Sequence, residues 1–179
     1  MTKPYYEFFC PVKVIAGHAA LEHIPFELST LGAKRPLIIT DKGVRANGLL
    51  SPIEAAFSTT DAVIGAIFDD VPPDSSLEVV RLAAELYRKQ KCDAIIAIGG
   101  GSVIDTSKAT NILVSEGGND LLQYSGAHNL SKPLKPFFVI PTTSGTGSEV
   151  TMVAVVSDLE KNVKIPFTSY YLMPHAAIL

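Results

Sequence analysis

Short, uniformly apolar runs alternate along this chain with longer stretches whose apolar residues recur every three or four positions. Residues 36–40, 62–68, 94–98 and 137–140 are the uniform runs, as expected of strands covered on both faces of a parallel sheet. Between them, a helical segment follows Gly17 and is interrupted at Pro25, and a second leads from the break at Asp41-Lys42-Gly43 to Phe57. Over 76–90, Leu77, Val80, Ala83, Ala84 and Tyr87 keep helical spacing, and Ser75 with Glu78 predicts a capping box at the start. A further helix is predicted over 102–115, ending near Gly117-Gly118. The aromatic and β-branched stretch 5–17 predicts two short strands around Pro11. Residues 152–157 and 163–168 predict a hairpin, and 176–179 a last strand. Strands alternating with helices give an α/β fold with a mostly parallel sheet and helices on both faces.

The run 94–98 ends in Gly99-Gly100-Gly101-Ser102. Three glycines between a strand and a helix strip the helix N-terminus of side chains and expose backbone N–H groups, which suits an anion such as a phosphate. The GxGxxG fingerprint fails, because Ile104 stands where its last glycine belongs, and a Walker A loop through Lys108 needs glycine where Ser107 stands. A second glycine- and hydroxyl-rich loop follows the run 137–140 and presents Thr142, Thr143, Ser144, Thr146 and Ser148. Two such loops behind neighbouring strands lie where open α/β sheets bind ligands. Asp41 ends a third strand, where a carboxylate suits the ribose hydroxyls of an adenosine and repels a 2′-phosphate, favouring NAD over NADP. Asp105 and Lys108, one helical turn apart, form either a solvated helix pair or a functional pair. In the second case Asp105 holds the glycine loop or meets the ribose or nicotinamide end of a ligand.

Composition narrows the remaining classes. An apolar share of 47% with 18% charged residues describes a compact domain, and a net charge of −3 without like-charge blocks offers no footprint for nucleic acid. No apolar run is long enough to span a membrane and no signal-peptide pattern opens the chain, so a cytoplasmic location is expected. Cys10 and Cys92 match no metal-ligand spacing and are read as reduced thiols. His18, His23, His128 and His175 show neither HxxxH nor HExxH spacing, so no metal ligand and no catalytic residue is assigned.

The stretch Gly99-Gly100-Gly101-Ser102-Val103-Ile104-Asp105-Thr106-Ser107-Lys108, the loop 141–151, Asp41 and their spacing resemble the iron-containing (group III) alcohol dehydrogenases. The resemblance runs from about Val12 to Leu179. It implies that 1–179 is an N-terminal, Rossmann-like NAD-binding domain, with the family's C-terminal helical domain absent. That domain holds the family's metal ligands, one Asp and three His, for a divalent ion, iron or zinc. By position the resemblance assigns pyrophosphate contacts to Gly100, Gly101 and Ser102, the adenosine ribose to Asp41, and further cofactor contacts to Thr142, Thr143, Thr146 and Lys164. Residues 68–75 fall on a loop beside the adenine, and the N-terminal strands on those that join two subunits into a homodimer. The implied reaction interconverts small primary alcohols and aldehydes, with negligible turnover expected of this chain alone. A non-catalytic nucleotide-binding or assembly module, and a glycerol dehydrogenase or dehydroquinate synthase relative, are the alternatives.

Overall fold

The computed structural model describes residues 4–6 and 8–179. Along the chain, β1 (Lys13–Ile15) leads through a 3₁₀ turn into α1 (Ile24–Thr30), β2 (Pro36–Ile39), α2 (Lys42–Ala46) and α3 (Ser51–Phe57). There follow β3 (Ala66–Phe68), α4 (Leu77–Lys89), β4 (Ala94–Gly99), α5 (Gly101–Glu116), β5 (Gly126–Ala127) and β6 (Phe137–Pro141). The hairpin β7 (Val153–Asp158) and β8 (Val163–Thr168) precedes β9 (Ala176–Ile178).

The uniform apolar runs build a six-stranded sheet of order β1-β9-β6-β4-β2-β3, with every neighbouring pair parallel. The sheet is Rossmann-like and doubly wound. From β2 the chain moves outward to β3, then returns to place β4 on the other side of β2. This reversal is a topological switch point, and the crevice beyond the carboxyl ends of two such strands is where ligands sit. Asp41 and the glycine loop lie at those ends.

Alternation within the buried strands decides what each helix covers. Ile38, Ile96, Ile98 and Phe138 face the side packed by α1 and α3, while Leu37, Ile39, Ile95, Ala97 and Val139 face α4 and α5. The small sheet β5-β8-β7 lies over the outer side of α5, where Ala109, Ile112 and Leu113 meet Ala154, Val156 and Phe167. Helix α5 is therefore covered from both sides, and all of Thr106–Leu113 is buried. Its last turn closes on Gly117, in the left-handed conformation that favours glycine at a helix end. No helix among the described residues is long and apolar enough to cross a membrane.

Four local expectations need correction. Of the two strands predicted around Pro11, the described residues form only the second, as β1. Glu7 lies outside the described residues, and Phe8 and Phe9 are exposed, so β propensity finds no neighbouring strand to pair with. Pro25 does not interrupt a helix but stands in the first turn of α1, where its missing N–H costs nothing. The strand predicted over 62–68 shrinks to β3, although Val63 and Gly65 still donate to the Lys34 and Pro36 carbonyls. Finally, Ser76 rather than Ser75 caps α4, accepting from the Val79 N–H at 3.4 Å. Ser75 is buried instead between α5 and the hairpin, accepting from the Thr106 hydroxyl at 2.8 Å while its carbonyl accepts from Ser157 N at 2.7 Å.

The two-sided burial of α5 makes a testable contrast with a one-sided helix. Ile112→Ala, at a fully buried position, is expected to lower the unfolding free energy by about 3 kcal/mol. Leu82→Ala on the outer face of α4, where the side chain is 44% exposed, is expected to stay within about 0.5 kcal/mol of wild type. Urea unfolding of both variants checks the pair, and equal losses would contradict the layering.

Candidate functional site

The site grows out of the way β4 turns into α5. A Cβ added at Gly99 would lie 2.6 Å from the Val103 Cγ2, so only glycine lets the strand bend directly against the first helical turn. Gly100 and Gly101 serve a different need. A Cβ at Gly100 would lie 2.9 Å from the Thr143 Oγ1, and one at Gly101 3.2 Å from the Thr146 Cγ2. Their bareness thus lets the threonine-rich loop lie close over the helix start, where Thr142 N donates to the Gly99 carbonyl at 3.1 Å.

The N-terminus of α5 has no side-chain cap and no carboxylate in its first turn. Its leading amides are the orphan donors of a helix start, reinforced by the positive end of the helix dipole. Ser102 accepts from the Asp74 N–H at 3.2 Å, which ties the loop after β3 to the helix and leaves the Ser102 hydroxyl proton free to be donated. Asp74 itself holds a left-handed backbone, φ 66°. Its carboxylate meets the Lys164 ammonium of β8 at 3.2 Å across the rim.

These elements enclose an open cleft of about 670 Å³, lined by residues 41–43 after β2, 70–73 after β3, 100–103 after β4, and Thr142 and Thr143 after β6. Of the residues singled out in the sequence, Asp41, Gly100, Gly101, Ser102, Thr142 and Thr143 line this one cleft. Asp41 also has a structural task that its type did not announce: its Oδ1 caps α2 by accepting from Val44 N at 2.8 Å. Gly99 and Thr146 stand behind the wall, and Lys164 reaches only the rim through Asp74. The loop 70–73 is the wall that the residues alone did not reveal; only the resemblance pointed to it.

Asp105 and Lys108 depart from two of the readings open in the sequence, the solvated pair and the holder of the glycine loop. They are not a solvated pair, because Lys108 is fully buried. Its ammonium donates to the Thr151 carbonyl at 2.7 Å, the Thr151 hydroxyl at 3.2 Å and the Val153 carbonyl at 2.8 Å. Nor does Asp105 hold the glycine loop: its Oδ2 accepts from Val155 N at 3.0 Å, while Oδ1 is buried with no hydrogen-bond partner among the described residues. Burial pushes the Asp105 carboxyl above its ordinary range, against the Val155 N–H, the Lys108 charge and the nearby Ser148 hydroxyl. Burial likewise pushes the Lys108 amine down to about 8, opposed by Asp105 and Glu149. The pair staples the hairpin to α5. The sequence signal for this was the scarcity of charge over 101–116, which marks a helix covered all round.

Among the described residues no group of three or more His, Cys, Asp and Glu side chains is arranged to hold a metal ion, and Cys10 and Cys92 are free thiols.

The family profile described as iron-containing alcohol dehydrogenase matches residues 11–179. The chain is 35% identical over 173 residues to the NAD-dependent methanol dehydrogenase of Bacillus methanolicus, covering 96% of this chain and 45% of that protein. It is 34% identical over 179 residues to the 1,3-propanediol dehydrogenase of Klebsiella pneumoniae, covering 99% and 46%. A crystal structure of 1,3-propanediol oxidoreductase superposes with a TM-score of 0.90 at 32% identity, covering 98% of this chain and 45% of that one. The sulfoacetaldehyde reductase of Bifidobacterium kashiwanohense, in complex with NAD+, superposes with a TM-score of 0.85 at 27% identity, covering 98% and 46%. The chain spans somewhat less than half the length of these relatives.

The hairpin staple can be tested directly. Lys108→Met removes the buried donor shared by the Thr151 and Val153 carbonyls and is expected to lower stability by about 3 kcal/mol. Amide exchange in β7 is expected to accelerate more than in β4. Unchanged urea unfolding, or acceleration confined to β4, would contradict the staple.

Proposed function

Because the chain belongs to the iron-containing alcohol dehydrogenase family, we propose that its cleft binds NAD and serves hydride transfer between small primary alcohols and aldehydes. The observation that carries this reading is the uncapped start of α5, cleared of side chains by Gly100 and Gly101 and free of carboxylates in its first turn. Such a start fits the pyrophosphate of a dinucleotide, whose charge the amides and the helix dipole neutralise without a lysine. In this reading Gly99, Gly100, Gly101 and Ser102 form the pyrophosphate cradle, and Asp41 holds the adenosine ribose through its hydroxyls. Thr142, Thr143 and Thr146 flank the nicotinamide side, and Lys164 closes the rim. The unpartnered Oδ1 of Asp105 is an acceptor for the same end of the ligand. When bound, NAD supplies the carbon that accepts the hydride.

The divalent metal of the family, iron or zinc, has no fitting residues among those described. We therefore assign to the 179-residue chain cofactor binding without alcohol turnover of its own. The outer edge of β1, which among the described residues pairs only with β9 and exposes Val14, supports a homodimer built by pairing that edge with a second copy. The exposed Tyr6, Phe8 and Phe9 just before it supply apolar surface for the same contact.

Calorimetric titration with NAD tests the assignment. Wild type is expected to bind, and Gly101→Val, which places methyl groups in the cradle and against Thr146, is expected to weaken binding at least about tenfold with the far-ultraviolet spectrum unchanged. Equal affinity of the variant, or no binding by wild type, would overturn it. In the same preparation, steady NADH formation from a primary alcohol with added iron or zinc would refute the absence of turnover.

A further inference from the structure

Asp41 is not the only charge at the end of the cleft assigned to the ribose. The parallel register of β2 with β3 brings Ile39 beside Phe68, so the residues following each strand emerge side by side. Helix α2 begins immediately after Asp41 and carries Lys42 and Arg45 three positions apart, on one face. The consecutive carboxylates after β3 meet them. The Lys42 ammonium lies 2.7 Å from the Asp70 carboxylate, and the Arg45 guanidinium 2.6 Å from the Asp69 carboxylate.

We propose that Asp70, and behind it Asp69, mask Lys42 and Arg45 as latent ligands for a 2′-phosphate, and so set the cleft's preference for NAD over NADP together with Asp41. The inference rests on the reading of the cleft as a dinucleotide site. Asp41, Lys42 and Asp70 all line the cleft, whereas Arg45 and Asp69 stand just outside its wall. Three carboxylates face two cations there, leaving one net negative charge beside the position assigned to the adenosine ribose. A 2′-phosphate would bring nearly two further negative charges to that place. The unphosphorylated ribose brings only hydroxyls, which Asp41 accepts.

The masking pairs are built to be re-partnered. The Lys42 side chain is 78% exposed and that of Asp70 62%, so water screens their attraction and little free energy is lost when the ammonium turns to another anion. Selectivity therefore follows the sum of nearby charges rather than a single steric clash. Removing one carboxylate brings the local charge to neutral, and removing two makes it positive.

The test measures dissociation constants for NAD and NADP by calorimetry on the full chain. The variants are Asp70→Asn, Asp70→Asn with Lys42→Met, and Asp70→Asn with Asp41→Gly. Asp70→Asn is expected to shift the NADP-to-NAD affinity ratio toward NADP by roughly tenfold at low salt, and by less as salt is raised. Lys42→Met in that background is expected to cancel most of the gain, and Asp41→Gly to extend it until NADP is preferred. A ratio that stays within about twofold of wild type in Asp70→Asn, or a gain that survives Lys42→Met, overturns the masking while leaving the NAD assignment intact. Failure of wild type to bind either nucleotide overturns the cleft reading and the masking with it.

Discussion

Helix α5 is the constraint on which the rest of this molecule depends. It is packed against the parallel sheet on one side and the hairpin sheet on the other, so its register and tilt are set by both layers. That double burial excludes charge from its middle except where charge finds buried partners. Lys108 is matched by two carbonyls and a hydroxyl, and Asp105 is half matched by the Val155 amide. A helix held this firmly makes its own N-terminus a fixed point, and a fixed set of amide donors is what an anion site requires.

The two glycine-bearing loops then divide the work. The first removes side chains from the helix start; the second fills part of the vacated space with threonines and closes one wall. The opposite wall comes from the loop after β3, anchored by the Asp74 amide on the Ser102 hydroxyl. Because β2 and β4 flank the switch point, these pieces converge although about sixty residues separate Asp41 from the glycine loop. The fold thus places the cleft, while the loops determine what it accepts.

Much of this was legible in the chain. Uniform apolar runs mark buried parallel strands because a doubly covered strand has no face for polar residues, and the run 94–98 appears as β4 almost unchanged. The glycine loop, the threonine loop and Asp41 were recognisable because they interrupt apolar runs at one end only. Less legible were features decided by packing between distant segments. Its spacing to Glu78 favours Ser75 as the cap in sequence, and only the approach of Thr106 and Ser157 buries Ser75 and leaves Ser76 to cap. A lysine at helical spacing from an aspartate reads as a surface pair, and only the scarcity of charge around it hints that the helix is covered on both sides. The ion pairs of Lys42 and Arg45 depend on the register of β3 beside β2, which the order of elements does not specify.

The central claim is that the amides at the start of α5 hold a pyrophosphate, and backbone amide shifts during titration with ADP-ribose and with adenosine test it most directly. The account predicts that ADP-ribose moves the amides of Gly100, Gly101 and Ser102 strongly, whereas adenosine moves those around Asp41 and leaves the glycine loop in place. Binding of ADP-ribose with the three loop amides unmoved would contradict it.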